Sequence, residues 1–185
     1  MCNTPQESHE KTRVFDKASS ARTSLRQGKL EVSDASVPRP LGDSVSVRTD
    51  FQVGEHAQIS KTIDEIDILS FAEITGDFNP VHTDLCFAQK TRFKGRIAHG
   101  MLSAGLISAA LGTRLPGPGG IYLSQTLKFV RPVRVGDTLT AEVEVIDWDS
   151  IKRIMTLETR CFNQNHECVT TGNAVLLVEP IQRVE

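Results

Sequence analysis

The chain has 185 residues, 39% hydrophobic and 24% charged, with 21 Lys and Arg against 23 Asp and Glu and a formal net charge of −2. That length holds one domain with room for a tail, at roughly 100–200 residues per domain, and is enough to bury a core without covalent staples. The near-balanced charge excludes a dedicated nucleic-acid binder, whose affinity would rest on a basic face.

Residues 1–45 are rich in Ser, Thr, Gln and charge and carry no sustained apolar period. They are expected to form a disordered or weakly ordered tail ahead of a domain at 46–185. The start, MCNTPQESHE, lacks the charged and apolar regions of a secretory signal. Six basic residues between Lys11 and Lys29 resemble a transit segment, but Glu7, Glu10 and Asp16 weaken that reading. A cytoplasmic protein is expected, with a mitochondrial one as the alternative. The four cysteines, Cys2, Cys86, Cys161 and Cys168, show no CxxC spacing and are read as reduced thiols.

From Phe51 the patterning begins. Residues 57–61 can form a strand, and Thr62 and Glu65 are spaced as a capping box for a helix. Ile66, Leu69 and Ala72 follow at helical spacing, and Gly76 stands where a glycine ends a helix. Beyond the polar GDFNPVH run, residues 83–89 predict a short helix and residues 90–96 a basic loop. Residues 98–111 predict a long helix ended by Gly112. It is apolar nearly all round, so it must be buried on several sides. At 11 residues, the apolar stretch 101–111 is too short for a bilayer, which takes about 20, and no membrane partner is expected.

The glycine- and proline-rich segment 113–120 predicts a turn, followed by four strands. Residues 121–130 alternate, as do 138–146, where Leu139, Ala141, Val143 and Val145 share one face. Residues 153–162 and 168–178 also favour strand, joined by a hairpin loop at 163–166, and Trp148 and His166 are placed on turns as structural residues. With no recurring strand–helix–strand alternation, the sheet should be antiparallel. The fold class is α+β: one buried helix embraced by a curved sheet.

Chemistry concentrates in GDFNPVH. Asp77 and His82 lie five apart across an Asn79-Pro80 turn, so both side chains can face one small volume. A carboxylate and an imidazole there can bind a water and share its protons. The same residues can equally be a capped turn, since Asx side chains commonly build turns. A calcium loop fails because His82 stands where its glycine is required and no Glu stands twelve along. Zinc spacing is absent, and so are phosphate-binding fingerprints. No metal and no cofactor are expected.

This segment resembles the signature of the MaoC-type (R)-specific enoyl-CoA hydratases, matching it at Phe71, Ile74, Thr75, Gly76, Asp77, Asn79, Pro80, Val81, His82 and Ala88. The resemblance continues through IAHGML at 97–102, LPGPG at 115–119, IYLSQ at 121–125 and RPVRVGD at 131–137, and covers residues 51–180. It implies the hot-dog fold, a homodimer, and reversible syn addition of water to a trans-2-enoyl thioester of coenzyme A, giving the (R)-3-hydroxyacyl product. Asp77 and His82 match the catalytic pair and Asn79 its support. His99 and Gly100 match the region donating a backbone N–H to the thioester carbonyl. Ser103 on the long helix lies near the place of a further polar group in some relatives. Arg92, Lys94 and Arg131, in basic clusters with Lys90, Arg96, Lys128 and Arg134, are candidates for the phosphates of coenzyme A or of a carrier protein's phosphopantetheine. The alternatives are the same chemistry run as 3-hydroxyacyl-[acyl-carrier-protein] dehydration, a thioesterase, and a non-catalytic acyl-thioester-binding module.

Overall fold

The computed structural model describes residues 47–179. The expectations for the tail, the transit segment and Cys2 lie outside them. In chain order the elements are β1 (His56–Thr62), α1 (Glu65–Thr75), α2 (Pro80–Thr83), α3 (Leu85–Lys90), α4 (Gly100–Thr113), β2 (Gly120–Gln125), β3 (Lys128–Phe129), β4 (Thr138–Asp149), β5 (Ile154–Phe162) and β6 (Cys168–Val178). All strands join one antiparallel sheet in the order β1-β4-β5-β6-β2, with β3 paired to β6.

The alternation in β4 decides which face meets the core. Leu139, Ala141, Val143 and Val145 are buried to 1% exposure or less, and Thr138, Thr140, Glu142 and Glu144 take the other face. Met155 and Leu157 from β5 and Ala174, Leu176 and Val178 from β6 extend the apolar face. Leu106, Ile107, Ala110 and Leu111 of α4 fill it, and α4 touches β1, β2, β4, β5 and β6. A sheet that meets one helix along five strands wraps it, which is the hot-dog arrangement. No helix among the described residues is long and apolar enough to cross a membrane.

Several expectations need correction. The capping box belongs to Asp64 and Asp67, two residues later than Thr62 and Glu65. Thr62 is held back in β1 by its pairing with Thr138, and Glu65 instead receives the Arg96 guanidinium at 2.5 and 2.7 Å. The buried pair of α1 is accordingly Ile68 and Ala72, while Ile66 is exposed.

The predicted helix at 83–89 divides in two, because extended backbone at Asp84 ends α2 and its carboxylate caps α3 through the Phe87 N–H. Helix α4 runs through Gly112 to Thr113, and the left-handed glycine at that end is Gly117, whose N–H reaches the Leu111 carbonyl. One face of α4, including Met101, Gly105, Ser108 and Ala109, is exposed. The predicted strand 121–130 breaks at Thr126. A bulge at Leu123 upsets its alternation, and the Thr126 hydroxyl takes the Asn173 N–H that a strand carbonyl would have accepted.

The 163–166 loop forms as expected, with the His166 N–H on the Asn163 carbonyl. Trp148 lies within β4 rather than on a turn, and meets the Phe51 ring edge-on at 5.2 Å. Cys161 and Cys168 are free thiols, and burial pushes that of Cys161 up to about 12.

Candidate active site

Three stretches converge on one spot: the loop after α1, the short helix α2, and the start of α4. Helix α1 stops where Gly76 turns left-handed at φ 77°, a conformation that costs a glycine nothing. The loop then winds through its own side chains. Asp77 N–H donates to the Thr75 hydroxyl at 3.3 Å, and Asn79 N–H to the Asp77 Oδ1 at 3.2 Å. Asn79 Oδ1 accepts the Val81 N–H at 3.2 Å and so caps α2, whose first residue is Pro80. The turn-building role foreseen for Asp77 and Asn79 is therefore real. It leaves the second carboxylate oxygen of Asp77 outside that turn bond, on a side chain 50% exposed.

His82 sits on α2 with its Nδ1 2.8 Å from the Ile97 carbonyl. A carbonyl only accepts, so Nδ1 carries the hydrogen and the neutral ring leaves Nε2 as an acceptor. His99 precedes α4, and its Nε2 lies 2.9 Å from the Asp77 carbonyl and 4.0 Å from Asp77 Oδ2. Its ring lies tilted against that of His82 at 3.9 Å and that of Phe71 at 4.8 Å between centroids. Burial drives the His99 imidazole below its ordinary value. Its bond to the Asp77 carbonyl opposes this, the His82 ring adds to the lowering, and the Asp77 carboxylate works against it.

One ligand-type atom from each of Asp77, His82 and His99 lies within 4.8 Å of the others. Among the described residues this is the one set whose spacing a metal ion would tolerate. Carbonyls occupy His82 Nδ1 and His99 Nε2, and the Asn79 N–H occupies Asp77 Oδ1, which leaves His82 Nε2 and Asp77 Oδ2 open to a shared water. Two groups at this separation can share one water at ordinary hydrogen-bond lengths of about 2.8 Å.

The first turn of α4 completes the arrangement. His99 occupies the cap position yet makes no side-chain cap bond. The leading N–H groups of a helix have no partner inside it and carry its positive dipole end. Gly100 is exposed and lies flush against Phe129, whose ring atoms would be 3.0–3.3 Å from an added Cβ.

Not every foreseen residue meets this spot. Ser103 is 2% exposed, and its hydroxyl donates to the Gly100 carbonyl at 2.7 Å while meeting the Thr170 hydroxyl at 2.7 Å. It supports the start of α4 from beneath. Arg131 spans the Cys168 carbonyl and the Glu167 carboxylate. Arg92 lies over the Phe93 ring, and Lys94 adopts a positive φ on the exposed loop after α3. Thr170 and Phe129 carried no local signal, since their partners lie 67 and 29 positions away in sequence.

Residues 50–164 match the family described as MaoC like domain. The chain is 51% identical over 129 residues to the (R)-specific enoyl-CoA hydratase of Rhodospirillum rubrum, covering 70% of this chain and 89% of that protein. It is 48% identical over 129 residues to the 3-hydroxybutyryl-CoA dehydratase of Methylorubrum extorquens, covering 70% and 82%. The unliganded R-hydratase of Pseudomonas aeruginosa superposes with a TM-score of 0.69 at 44% identity, covering 76% of this chain and 93% of that one.

Proposed function

The chain belongs to the MaoC-like domain family, and on that premise we propose that it is an (R)-specific 2-enoyl-CoA hydratase. It reversibly adds water to a trans-2-enoyl-CoA to give the (R)-3-hydroxyacyl-CoA. The observation that carries this reading is the 2.8 Å contact of His82 Nδ1 with the Ile97 carbonyl, an acceptor, which leaves Nε2 as an acceptor beside the Asp77 carboxylate and the uncapped start of α4.

In the hydration direction a water rests between His82 Nε2 and the Asp77 carboxylate. Its oxygen bonds C3 while His82 Nε2 takes one of its protons, and the C2–C3 electron pair moves toward the thioester oxygen. The Gly100 N–H at the helix start stabilises that charge; removing a donor of this kind typically costs about 2.7–4 kcal/mol of barrier. The imidazolium then returns the proton to C2, restoring the neutral ring. Both new bonds draw on one water held on one face of the substrate, which accounts for syn addition. Asp77 accepts a hydrogen bond from the other hydrogen of the water, which stays on the new hydroxyl, and offsets the transient imidazolium charge. Asn79 fixes the turn that presents them.

The enzyme acts as a homodimer. Strand β2 ends the sheet order with Ile121, Tyr122 and Leu123 exposed. An apolar strand at an open edge invites pairing with a like strand. The exposed Arg92 and Lys94 are the side chains offered to the coenzyme A phosphates, and the reaction runs in the cytoplasm without a cofactor.

Loss of the conjugated absorbance of crotonyl-CoA, with free thiol assayed in parallel, tests the function. Fast loss without thiol is expected. Thiol release would make the protein a thioesterase, and no turnover on either coenzyme A or carrier-bound enoyl thioesters would leave a binding module.

A further inference from the structure

We propose that His99 is the positioning residue that fixes Asp77 and His82 relative to each other; this deepens the hydratase reading above and rests on it. Of the three clustered side chains only His99 is buried, at 1% exposure against 50% for Asp77. The bonds of Asp77 to Thr75 and Asn79 stay within its own loop. The bond from His99 Nε2 ties that loop to the start of α4, 22 residues on.

The ring does a second job. It packs against both Phe71 and His82, at centroid distances of 4.8 and 3.9 Å and tilted 39° and 34° to them, and so backs the His82 imidazole. Two contacts and the proposed chemistry set its form. The Asp77 carbonyl accepts and therefore requires a hydrogen on Nε2. Nδ1 is buried with no hydrogen-bond partner, so a hydrogen there would be an orphaned donor, rarer than an under-satisfied acceptor. A doubly protonated ring would also repel the imidazolium that His82 becomes. A neutral Nε2–H imidazole meets all three conditions. At a helix cap position, where Ser, Thr, Asp or Asn would bond the helix itself, this side chain turns away and leaves the α4 donors open.

His99→Phe keeps a flat ring but has no donor, and His99→Gln keeps a donor at similar reach but has no ring. With crotonyl-CoA, kcat of His99→Phe is expected to fall about 100-fold, the cost of slightly misplaced catalytic groups. Its KM should stay close to wild type, as when only the transition state is affected. His99→Gln should recover about tenfold of that loss by restoring the bond to Asp77. Unchanged kcat in His99→Phe, or no recovery in His99→Gln at equal folded content, would overturn the proposal.

Imidazole nitrogen spectra of the wild-type protein give a test that needs no variant to fold. His99 should be the Nε2–H tautomer and His82 the Nδ1–H tautomer; an Nδ1–H His99 would overturn the proposal. A wild-type protein that hydrates no enoyl thioester would refute the function instead, with the spectrum still deciding the hydrogen bond.

Discussion

Replacing Asp77 by Asn separates the charge of its carboxylate from its part in the loop. The loop uses one oxygen, Oδ1, as acceptor for the Asn79 N–H at 3.2 Å. An asparagine supplies that oxygen unchanged. The bond is long and its side chain half exposed, so its net worth lies near the bottom of the usual range, about 0.5 kcal/mol. Asp77→Ala should therefore lower the melting temperature by only about 1–2 °C in a domain of this size, and Asp77→Asn by less. Activity should behave differently. Without the negative charge nothing offsets the His82 imidazolium, and both variants should lose about 10²–10⁴-fold in kcat, the range for a positioned acid–base group. Steady-state hydration of crotonyl-CoA, read beside thermal melts, separates the two effects. Asp77→Asn with near wild-type kcat and Asp77→Ala without it would refute the reasoning, because Asp77 would then be a loop builder alone.

Ser103→Ala should cost about 1–3 kcal/mol by leaving the buried Thr170 hydroxyl without its partner, with KM for crotonyl-CoA unchanged; a raised KM at constant melting temperature would put Ser103 on the substrate. The His99 imidazole lies below its ordinary value in the folded protein, so the unfolded chain binds that proton first. Its contribution to stability is complete above about pH 6.5 and declines as pH falls through that value, by at most about 1.4 kcal/mol per pH unit, levelling off below the folded value. Denaturant midpoints across that range should show the decline in the wild type and less of it in His99→Gln; equal slopes would contradict it. Cys161, buried with its thiol near 12, should resist a thiol reagent in the native protein at pH 8 and react on unfolding; fast native labelling at Cys161 would contradict its burial.

Much of this was legible in the sequence where one local rule dominates. Strand β4 could be read residue by residue because its face period is uninterrupted, and the end of α1 because only glycine turns left-handed cheaply there. Legibility failed where distant partners decide. Thr62 looks like a helix cap but is kept in a strand by Thr138, 76 positions away. The break at Thr126 is set by Asn173 in another strand. In the site, the Asp77–His82 spacing allowed a proton-transfer pair or a turn; the turn is built by Asp77 and Asn79, and the loop also brings Asp77 and His82 within 4.8 Å. What spacing could not give was the tautomer of His82, fixed by the Ile97 carbonyl, or the burial of Ser103 against Thr170. No local pattern encodes either contact.

In the proposed hydration, Asp77 and His82 add both parts of one water to a single face of an enoyl thioester. Hydration of crotonyl-CoA in deuterated water, with the product resolved at both carbons, tests it most directly. Addition at this site should give the (R) configuration at C3, with deuterium at C2 delivered to the same face. An (S) product, or deuterium on the opposite face, would contradict it.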